Sequence, residues 1–301
     1  MKTPILLLVY IKPNTTKKII NVLKKIKAEK IYISINRPPK INNKKLISDN
    51  NKVKKIVNSI NWKCKVIKKE RKHHLDSYNS YKKSVRWFFQ KESEGIVLED
   101  DTLPSKDFFE FCTKLLIKYR NNKKISQICG SSFLNEKING ANYKFSNYCF
   151  CWGYATWRRS IIDFDDDFKK LKTKTNEEFL RKILNNRSFV LYWKTIFNDL
   201  FKKKIQAWDY TWMLSNWHKE KLSIIPKKNL IQNIGFVKEA THTKIKYKDW
   251  FTDIKPYKMN FNNIHPEVIK PDLKYDKWVS YNIFKTNKFF FKKLLETVLK
   301  I

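Results

Sequence analysis

Three adjacent carboxylates, Glu99, Asp100 and Asp101, follow an apolar run that ends at Leu98. Neighbouring carboxylates repel one another unless a cation lies between them. Hard oxygen ligands of this kind suit Mg²⁺ or Mn²⁺. Because open α/β sheets bind ligands beyond the carboxyl ends of their strands, a metal here would neutralise a diphosphate leaving group. The residues alone leave one alternative, an acidic turn between a strand and the next helix.

A second candidate segment contains Trp152 and Gly153. Gly153 is one of only five glycines in the chain and stands between large aromatic residues. Such a glycine indicates a close backbone approach or an unusual backbone dihedral angle. The neighbouring aromatic faces could also stack on the apolar side of a sugar ring. A tightly packed corner of the core is the alternative interpretation.

Asp209 lies between Trp208 and Tyr210. Removal from water among aromatic side chains would raise its pKa and make it a better general base. The same residue stands where a helix is predicted to begin, so a helix N-cap is the alternative.

Further along the chain, His242 follows the segment Asn233-Ile234-Gly235-Phe236. Histidine is a common metal ligand, and we treat His242 as a candidate. A single histidine is more often a satisfied polar residue.

Apolar runs and helical spacings alternate over the first 130 residues. Strands are predicted at 5–11, 31–35, 64–68, 95–98 and 125–129, and helices at 14–26, 52–60, 78–89 and 108–119, the first capped by Asn14 or Thr15. This alternation predicts an α/β fold with a mostly parallel sheet covered by helices on both faces.

From residue 148 onward the sequence becomes rich in tryptophan and less regular. Helical patterns cover 177–184, 193–201 and 210–217, and short strands are predicted near 222–225 and 230–232. Residues 274–301 place an apolar face among lysines. Since no Gly/Ser linker divides the chain, we expect one α/β domain with a C-terminal helical elaboration.

The composition limits the classes of function. The chain of 301 residues carries 64 Lys+Arg against 28 Asp+Glu, a formal net charge of +36, yet 42% of its residues are hydrophobic, enough for a sizeable core. Only eight basic residues are arginine. Because bidentate phosphate and base recognition favours arginine, the lysines are better explained as a solvated surface, and we expect no nucleic-acid partner. Neither GxGxxG nor GxxxxGK[ST] occurs.

The five cysteines form no CxxC pair, which indicates reduced thiols in a cytoplasmic protein. No apolar run reaches the roughly 18–20 residues of a membrane span. The apolar stretch within residues 1–10 lacks a signal-type cleavage site, so it is interpreted as a strand.

Taken in order, these segments resemble bacterial GT-A glycosyltransferases of the nucleotide-diphospho-sugar transferase type, a family also called hemolytic-protein-like. The matching segments are 1–4, 12–16, 87–89, 95–105, 152–157, 208–210, 223–226, 233–236 and 240–243. The carboxylate triplet and the Trp208-Asp209…Trp212-Met213 arrangement are also similar, more distantly, to the eukaryotic N-acetylglucosaminyltransferase that starts complex N-glycans.

The resemblance implies roles for the candidate residues. Asp101 would be the direct ligand of Mn²⁺ or Mg²⁺, with Glu99 and His242 as further candidates, and Asp209 would be the catalytic base of an inverting transfer. Residues implied at the donor site are Lys12, Asn36, Arg71, Asp100, Trp152 and Gly153, with Asp100 near the ribose.

Two positions differ from the family pattern. The family's Asp-Gly-Pro after the second strand is Asn36-Arg37-Pro38 here, and its Asn-Leu-Gly after the third strand is His74-Leu75-Asp76.

The implied architecture is a GT-A domain over 1–250, with a nucleotide-binding half (1–130) and an acceptor half (131–250), followed by a C-terminal extension with a basic amphipathic helix (251–301). The implied activity is hexosyl or N-acetylhexosaminyl transfer from a nucleotide-sugar donor, with a UDP-sugar favoured. The acceptor would be a glycan or lipid-linked glycan in surface-polysaccharide or lipopolysaccharide-type biosynthesis.

Two other classes of function make different predictions about the sequence. A sugar-phosphate nucleotidyltransferase would carry a glycine-rich loop after the first strand, where this chain has Ile11-Lys12-Pro13. A basic nucleic-acid-binding protein would cluster arginines and aromatics on one element. Residues 285–295 have two interpretations, a helix that docks peripherally on the inner face of the membrane or one that closes over the protein's own core.

Overall fold

The structure, a computed structural model, describes residues 1–40, 43–235 and 254–298, with the backbone alone for residues 293–298. Its strands are β1 (Ile5–Val9), β2 (Lys30–Ile35), β3 (Lys65–Glu70), β4 (Glu94–Glu99), β5 (Thr102–Pro104), β6 (Ile125–Cys129), β7 (Tyr143–Ser146), β8 (Tyr154–Trp157), β9 (Leu222–Pro226) and β10 (Ile231–Asn233).

Eight of these strands form one sheet in the order β3-β2-β1-β4-β8-β6-β9-β7. The first four are mutually parallel, β8 runs antiparallel between β4 and β6, β9 is parallel to β6, and β7 is antiparallel to β9. The predicted mostly parallel sheet is therefore confirmed. Strands β5 and β10 form a separate antiparallel ribbon.

The helices are α1 (Pro13–Lys25), α2 (Lys44–Asn58), α3 (Ser77–Lys91), α4 (Lys106–Lys118), α5 (Arg158–Ile162), α6 (Phe168–Lys174), α7 (Glu177–Leu184), α8 (Arg187–Phe201), α9 (Trp208–His218), α10 (Leu273–Asn282) and α11 (Thr286–Val298). Among the residues that the structure describes, every helix is too short or too polar to cross a bilayer.

The position of β1 inside the sheet, with helices on both faces, explains why its sequence is an unbroken apolar run. Ile5, Leu7 and Val9 pack on one side of the sheet with α1, α2 and α4, whereas Leu6 packs on the other side with α3 and the helices α5–α10. Because successive strand residues point to opposite faces, a strand covered on both sides needs apolar residues at every position. The α/β class with helices on both faces is confirmed.

Two predicted helix ends are wrong. Helix α1 begins at Pro13, so Lys12 is its N-cap, without a side-chain bond, in place of Asn14 or Thr15; proline is pre-organised for this first position and its missing N–H is not needed there. Helix α2 begins at Lys44, well before the predicted start at residue 52, and is capped by the Asn43 side chain. Its first half is largely exposed, so the apolar spacing was visible only in its second half.

Strands β7 and β8 were not predicted. Each is four residues long and fully buried, too short for a period to be recognised among the surrounding aromatics. Strand β8 lies in the segment from residue 148 onward, which had been expected to be less regular, and β7 lies just before it.

The C-terminal segment is attached to the edge of the sheet. The carboxylate of Asp276, on α10, accepts hydrogen bonds from the Ser146 hydroxyl and from the Asn147 backbone and side-chain N–H groups, the last two at 3.1 and 3.0 Å. Helix α11 packs on α8, where the rings of Phe289 and Tyr192 lie 5.3 Å apart. The N-terminal part of α11 thus packs against α8 of the same chain.

Candidate functional site

The order β3-β2-β1-β4 places a topological switch point beside β1. The chain leaves β1 toward β2 on one side, whereas β4 pairs with β1 on the other side. Open α/β sheets bind ligands in the crevice that forms at such a point, beyond the carboxyl ends of the strands. Lys12 follows β1 and Asp101 follows β4, and their Nζ and Oδ2 atoms lie 2.5 Å apart. We call this place at the ends of β1 and β4, where Lys12, Asp100 and Asp101 lie, the crevice.

The carboxylate triplet occupies a tight turn in which each side chain meets different surroundings. The Thr102 hydroxyl closes this turn by accepting the Glu99 N–H at 2.9 Å and donating to the Glu99 carbonyl at 3.1 Å. The buried Asp100 accepts the backbone N–H of Tyr10 at 2.9 Å. Asp101 faces Lys12, and Glu99 lines a separate cavity described below.

Burial shapes the electrostatics of the crevice. Burial, followed by the charge of Asp101, raises the pKa of Asp100 to about 7. Burial and the charges of Asp101 and Asp100 raise the pKa of Glu99 well above its ordinary value. Burial lowers the pKa of Lys12, but the carboxylates outweigh it and the net shift is upward. Asp101 thus pairs directly with the Lys12 ammonium group, while Asp100 and Glu99 act on it through their charges, an environment that favours a further cation.

The crevice offers a single carboxylate, that of Asp101, with which a divalent cation could be held if a phosphate supplied further ligands. Within residues 1–40, 43–235 and 254–298, no three His, Cys, Asp or Glu side chains converge as a metal site. His242 lies outside the described residues. Magnesium is often held by one or two carboxylates together with substrate phosphates, and Asp101, which is partly exposed, provides one such carboxylate.

Gly235 packs directly against the side chain of Asp101. The Ile234 N–H donates to the Asp101 carbonyl at 2.8 Å, where the β5–β10 ribbon ends. A Cβ added to Gly235 would lie 2.1 Å from Asp101 Oδ2. Any side chain at position 235 would therefore displace the Asp101 carboxylate, and only glycine is compatible with the observed position of this group. The sequence had marked the segment 233–236 without giving Gly235 a role.

Gly153 has the unusual backbone that its flanking aromatics predicted. Its φ is +65°, a region that L side chains rarely adopt, and an added Cβ would lie 2.7 Å from Ile231 Cδ1. Gly153 thus packs against β10, the strand that leads to Gly235. The adjacent Trp152 instead lines the cavity that contains Glu99.

This cavity has a volume of about 580 Å³. We call it the aromatic cavity, because its walls include rings from α3, α9 and the loop before β8. The aromatic and carboxylate residues that line it are Tyr78, Tyr81, Glu99, Phe133, Phe150, Trp152, Trp208, Asp209, Tyr210 and Phe284. Ile283 and Phe284 connect α10 to α11, so the C-terminal segment forms part of the wall.

Asp209 lies in the first turn of α9, half-buried at the wall of the aromatic cavity. Burial raises its pKa, which hydrogen bonds from backbone N–H groups partly counteract; one of these, from Tyr210, measures 3.0 Å. The N-cap alternative is wrong, because Ala207 is the N-cap of α9. The Asp209 carboxylate is left facing the cavity with a raised pKa, the setting that a general base requires.

Asn36 and Arg71 follow β2 and β3 at the same edge of the sheet. The Asn36 amide donates to the Leu75 carbonyl at 2.8 Å and accepts the Leu75 N–H at 3.2 Å, so its polar atoms already hold the loop that precedes α3. Arg71 donates to the Ser84 hydroxyl at 3.0 Å, and its Nε is buried without a hydrogen-bond partner. Burial lowers the Arg71 pKa. The structure thus places Asn36 in a positioning role.

Sequence reasoning missed Asn50. This buried residue of α2 donates to the Tyr10 carbonyl at 2.7 Å and to the Asn36 carbonyl at 2.9 Å, which ties the ends of β1 and β2 together. The signal was present, since Asn50 shares the apolar stripe of α2 with Val53 and Val57. A polar residue on such a stripe needs buried partners.

No protein-family model and no curated protein matches the sequence. Solved structures that resemble it include mouse xyloside xylosyltransferase 1 in its apo form, with a TM-score of 0.34, 10% identity, and coverage of 72% of this chain and 82% of that one. A 4-diphosphocytidyl-2C-methyl-D-erythritol synthase from Anaerococcus prevotii gives 0.34 and 8%, covering 62% and 85%. UDP-glucose pyrophosphorylase complexed with UDP-glucose gives 0.33 and 11%, covering 59% and 81%. All three TM-scores lie below 0.5.

Proposed function

We propose that the chain is a metal-dependent glycosyltransferase of the GT-A type, which moves a sugar from a nucleotide-diphosphate donor to an acceptor hydroxyl with inversion. The observation that carries this proposal is the tight turn at the end of β4. Its last residue, Asp101, meets Lys12 in the crevice, and its first residue, Glu99, lines the aromatic cavity with Asp209. This one turn therefore connects a site for a charged leaving group with the cavity that contains the base.

The crevice would bind the diphosphate of the donor. Asp101 would hold a divalent cation that neutralises the departing phosphates when it is bound. Lys12 would contribute its ammonium group to the same oxygens, since lysine is a compact point charge that suits phosphate. The loss of negative charge from the leaving group makes the bond to the sugar easier to break.

The aromatic cavity would bind the acceptor. Its volume of about 580 Å³ lies within the range of roughly 300–1,000 Å³ of ligand sites in proteins. Asp209 would take the proton of the acceptor hydroxyl, whose oxygen forms a bond to the anomeric carbon as the bond to the diphosphate breaks. Attack opposite the leaving group in one step inverts that carbon.

The resemblance described above supports a glycan or lipid-linked glycan as acceptor, in surface-glycan or lipopolysaccharide-type assembly, and a UDP-sugar as donor. A sugar-phosphate nucleotidyltransferase is the alternative. No specific observation favours it, because β1 passes through Lys12 directly into α1 without a glycine-rich loop.

A screen of donor hydrolysis over nucleotide sugars, with and without Mn²⁺, tests the proposal. We expect at least one donor to be hydrolysed only with metal, and Asp101→Asn to abolish that hydrolysis. Asp199→Asn, at a carboxylate on α8 far from the crevice in sequence, is the matched control and should behave like the wild type. Hydrolysis that needs no metal and survives Asp101→Asn would contradict the proposal.

A further inference from the structure

The ion pair in the crevice occupies a position that a metal ion would also need. Lys12 Nζ lies 2.5 Å from Asp101 Oδ2, and Gly235 packs so close to the same oxygen that an added Cβ would lie 2.1 Å from it. A Mg²⁺ ion binds carboxylate oxygen at about 2.0–2.1 Å. An ammonium group and a divalent ion at such distances from one oxygen would repel each other strongly.

We propose that Lys12 and the divalent cation are alternative partners of Asp101. Lys12 holds the carboxylate while the crevice is empty, and it turns to the donor diphosphate when the cation takes its place. The cation consequently binds together with a nucleotide and only poorly alone. This inference rests on the proposed function, because it assumes that Asp101 is the metal ligand.

The backbone of Lys12 is fixed, so the exchange needs only its side chain to move. The Lys12 carbonyl accepts the Thr16 N–H at 2.9 Å and the Thr16 hydroxyl at 2.7 Å, in the first turn of α1. The four-carbon stem of lysine is flexible. Lys12 also borders a groove of about 1160 Å³ between α1 and α2, which gives this side chain room to turn away from Asp101.

The other two carboxylates are less suited to replace Asp101 as partner of the cation. Asp100 is buried and its Oδ2 already accepts the Tyr10 N–H, whereas Glu99 lines the aromatic cavity. Asp101 is therefore the carboxylate for which the two cations compete.

Mn²⁺ titration followed by electron paramagnetic resonance, on full-length protein without nucleotide, tests the exchange. We expect Lys12→Met to bind Mn²⁺ about tenfold more tightly than the wild type, because one competing charge is removed. Lys18→Met, an exposed lysine on α1 that also borders the groove, removes the same charge and should stay within about twofold. With UDP present the order should reverse, since Lys12→Met then lacks the ammonium group that binds the diphosphate.

The outcomes separate this inference from the proposed function. If Lys12→Met binds Mn²⁺ no better than Lys18→Met while Asp101→Asn abolishes binding, the exchange is wrong and the metal site stands. If Asp101→Asn leaves Mn²⁺ binding intact, the metal assignment itself fails, and the exchange fails with it. Lys12→Gln, with circular dichroism on every variant, is measured in parallel so that a folding defect in one variant does not decide the result.

Discussion

The crevice and the aromatic cavity lie on either side of one tight turn, but they are built differently. The crevice uses short polar segments directly after β1 and β4, fixed by backbone hydrogen bonds such as that from Tyr10 to Asp100. The cavity uses rings from α3, from α9 and from Phe284, which are far apart in sequence. Strand topology therefore places the charges, whereas long-range packing shapes the cavity. Substitutions should accordingly separate donor binding from acceptor chemistry.

The largest expected effect is in the crevice. Asp101→Asn removes the negative charge that faces Lys12, so metal-dependent binding of UDP should be lost while the protein stays folded. Calorimetric titration of UDP with Mn²⁺ measures this, and Asp199→Asn is the control. Unchanged UDP affinity in Asp101→Asn would remove the crevice from the donor site.

The next effect is in the aromatic cavity. Asp209→Asn should lower turnover by about 10²–10⁴-fold, the usual contribution of a general base. Donor affinity should barely change, because the base acts in the transition state. A parallel fall in donor affinity would instead assign Asp209 to the donor site and undo the division between the two regions.

The ionisation of Asp276 makes the stability of the protein depend on pH, because this carboxyl group attaches α10 to the sheet. Burial raises its pKa to about 7, so between pH 5 and 7 the native state keeps a proton that the unfolded chain has released. The free energy of unfolding should then fall as the pH rises, by about 1.4 kcal/mol per pH unit at most from this group. Since α10 leads to the cavity wall at Phe284, this loss of stability would act on the aromatic cavity.

Urea unfolding of the wild type and Asp276→Asn at pH 5, 6 and 7 measures this contribution as a difference. Other groups with raised pKa values, such as Asp100, titrate in both proteins and cancel. Parallel pH dependences in the two proteins would show that Asp276 is not the group responsible.

Gly235→Ala acts on the crevice alone. The added Cβ would meet Asp101 Oδ2 at 2.1 Å, so the carboxylate must shift, and we expect about tenfold weaker UDP–Mn²⁺ binding, equivalent to about 1.4 kcal/mol. Gly140→Ala is the control, since Gly140 has a φ of +84° but no neighbour within 4 Å of an added Cβ. It should cost stability without changing UDP binding. Equal UDP affinity in both variants would exclude Gly235 as a positioning residue.

The same difference in construction explains what could be predicted from sequence. The crevice follows strands whose apolar runs are unmistakable, so Asp100 and Asp101 were predicted at the end of a buried strand, and the family resemblance implied Lys12 at the donor site. Asn36 was implied there too, but nothing in the sequence indicates that its amide would be taken up by the backbone of Leu75. The role of Gly235 depends on its close packing against Asp101. These two residues are far apart in sequence, so only the folded chain shows this contact.

The cavity was less predictable, because β7 and β8 are short and its walls come from distant segments. Asp209 was predicted as a candidate base from its aromatic neighbours. The structure places it inside the first turn of α9 and not at the N-cap, which was the alternative. Nothing in the sequence around Phe284 indicates that its ring lines the aromatic cavity. Its position there depends on how α10 docks through Asp276.

The smallest expected effect concerns α11, whose two faces have different surroundings. Phe289 packs on Tyr192, whereas Phe291 is 61% exposed, with Lys288 and Lys292 close in sequence. If this helix docks on an anionic membrane, the exposed ring would insert between headgroups while the lysines attract the lipid. Phe291→Ser should then reduce pelleting with anionic vesicles several-fold at low salt without changing the melting temperature, because its ring is already largely exposed to water. Phe289→Ser is the matched comparison and should lower the melting temperature instead. Full-length protein that never pellets would leave α11 with a purely structural role beside the aromatic cavity.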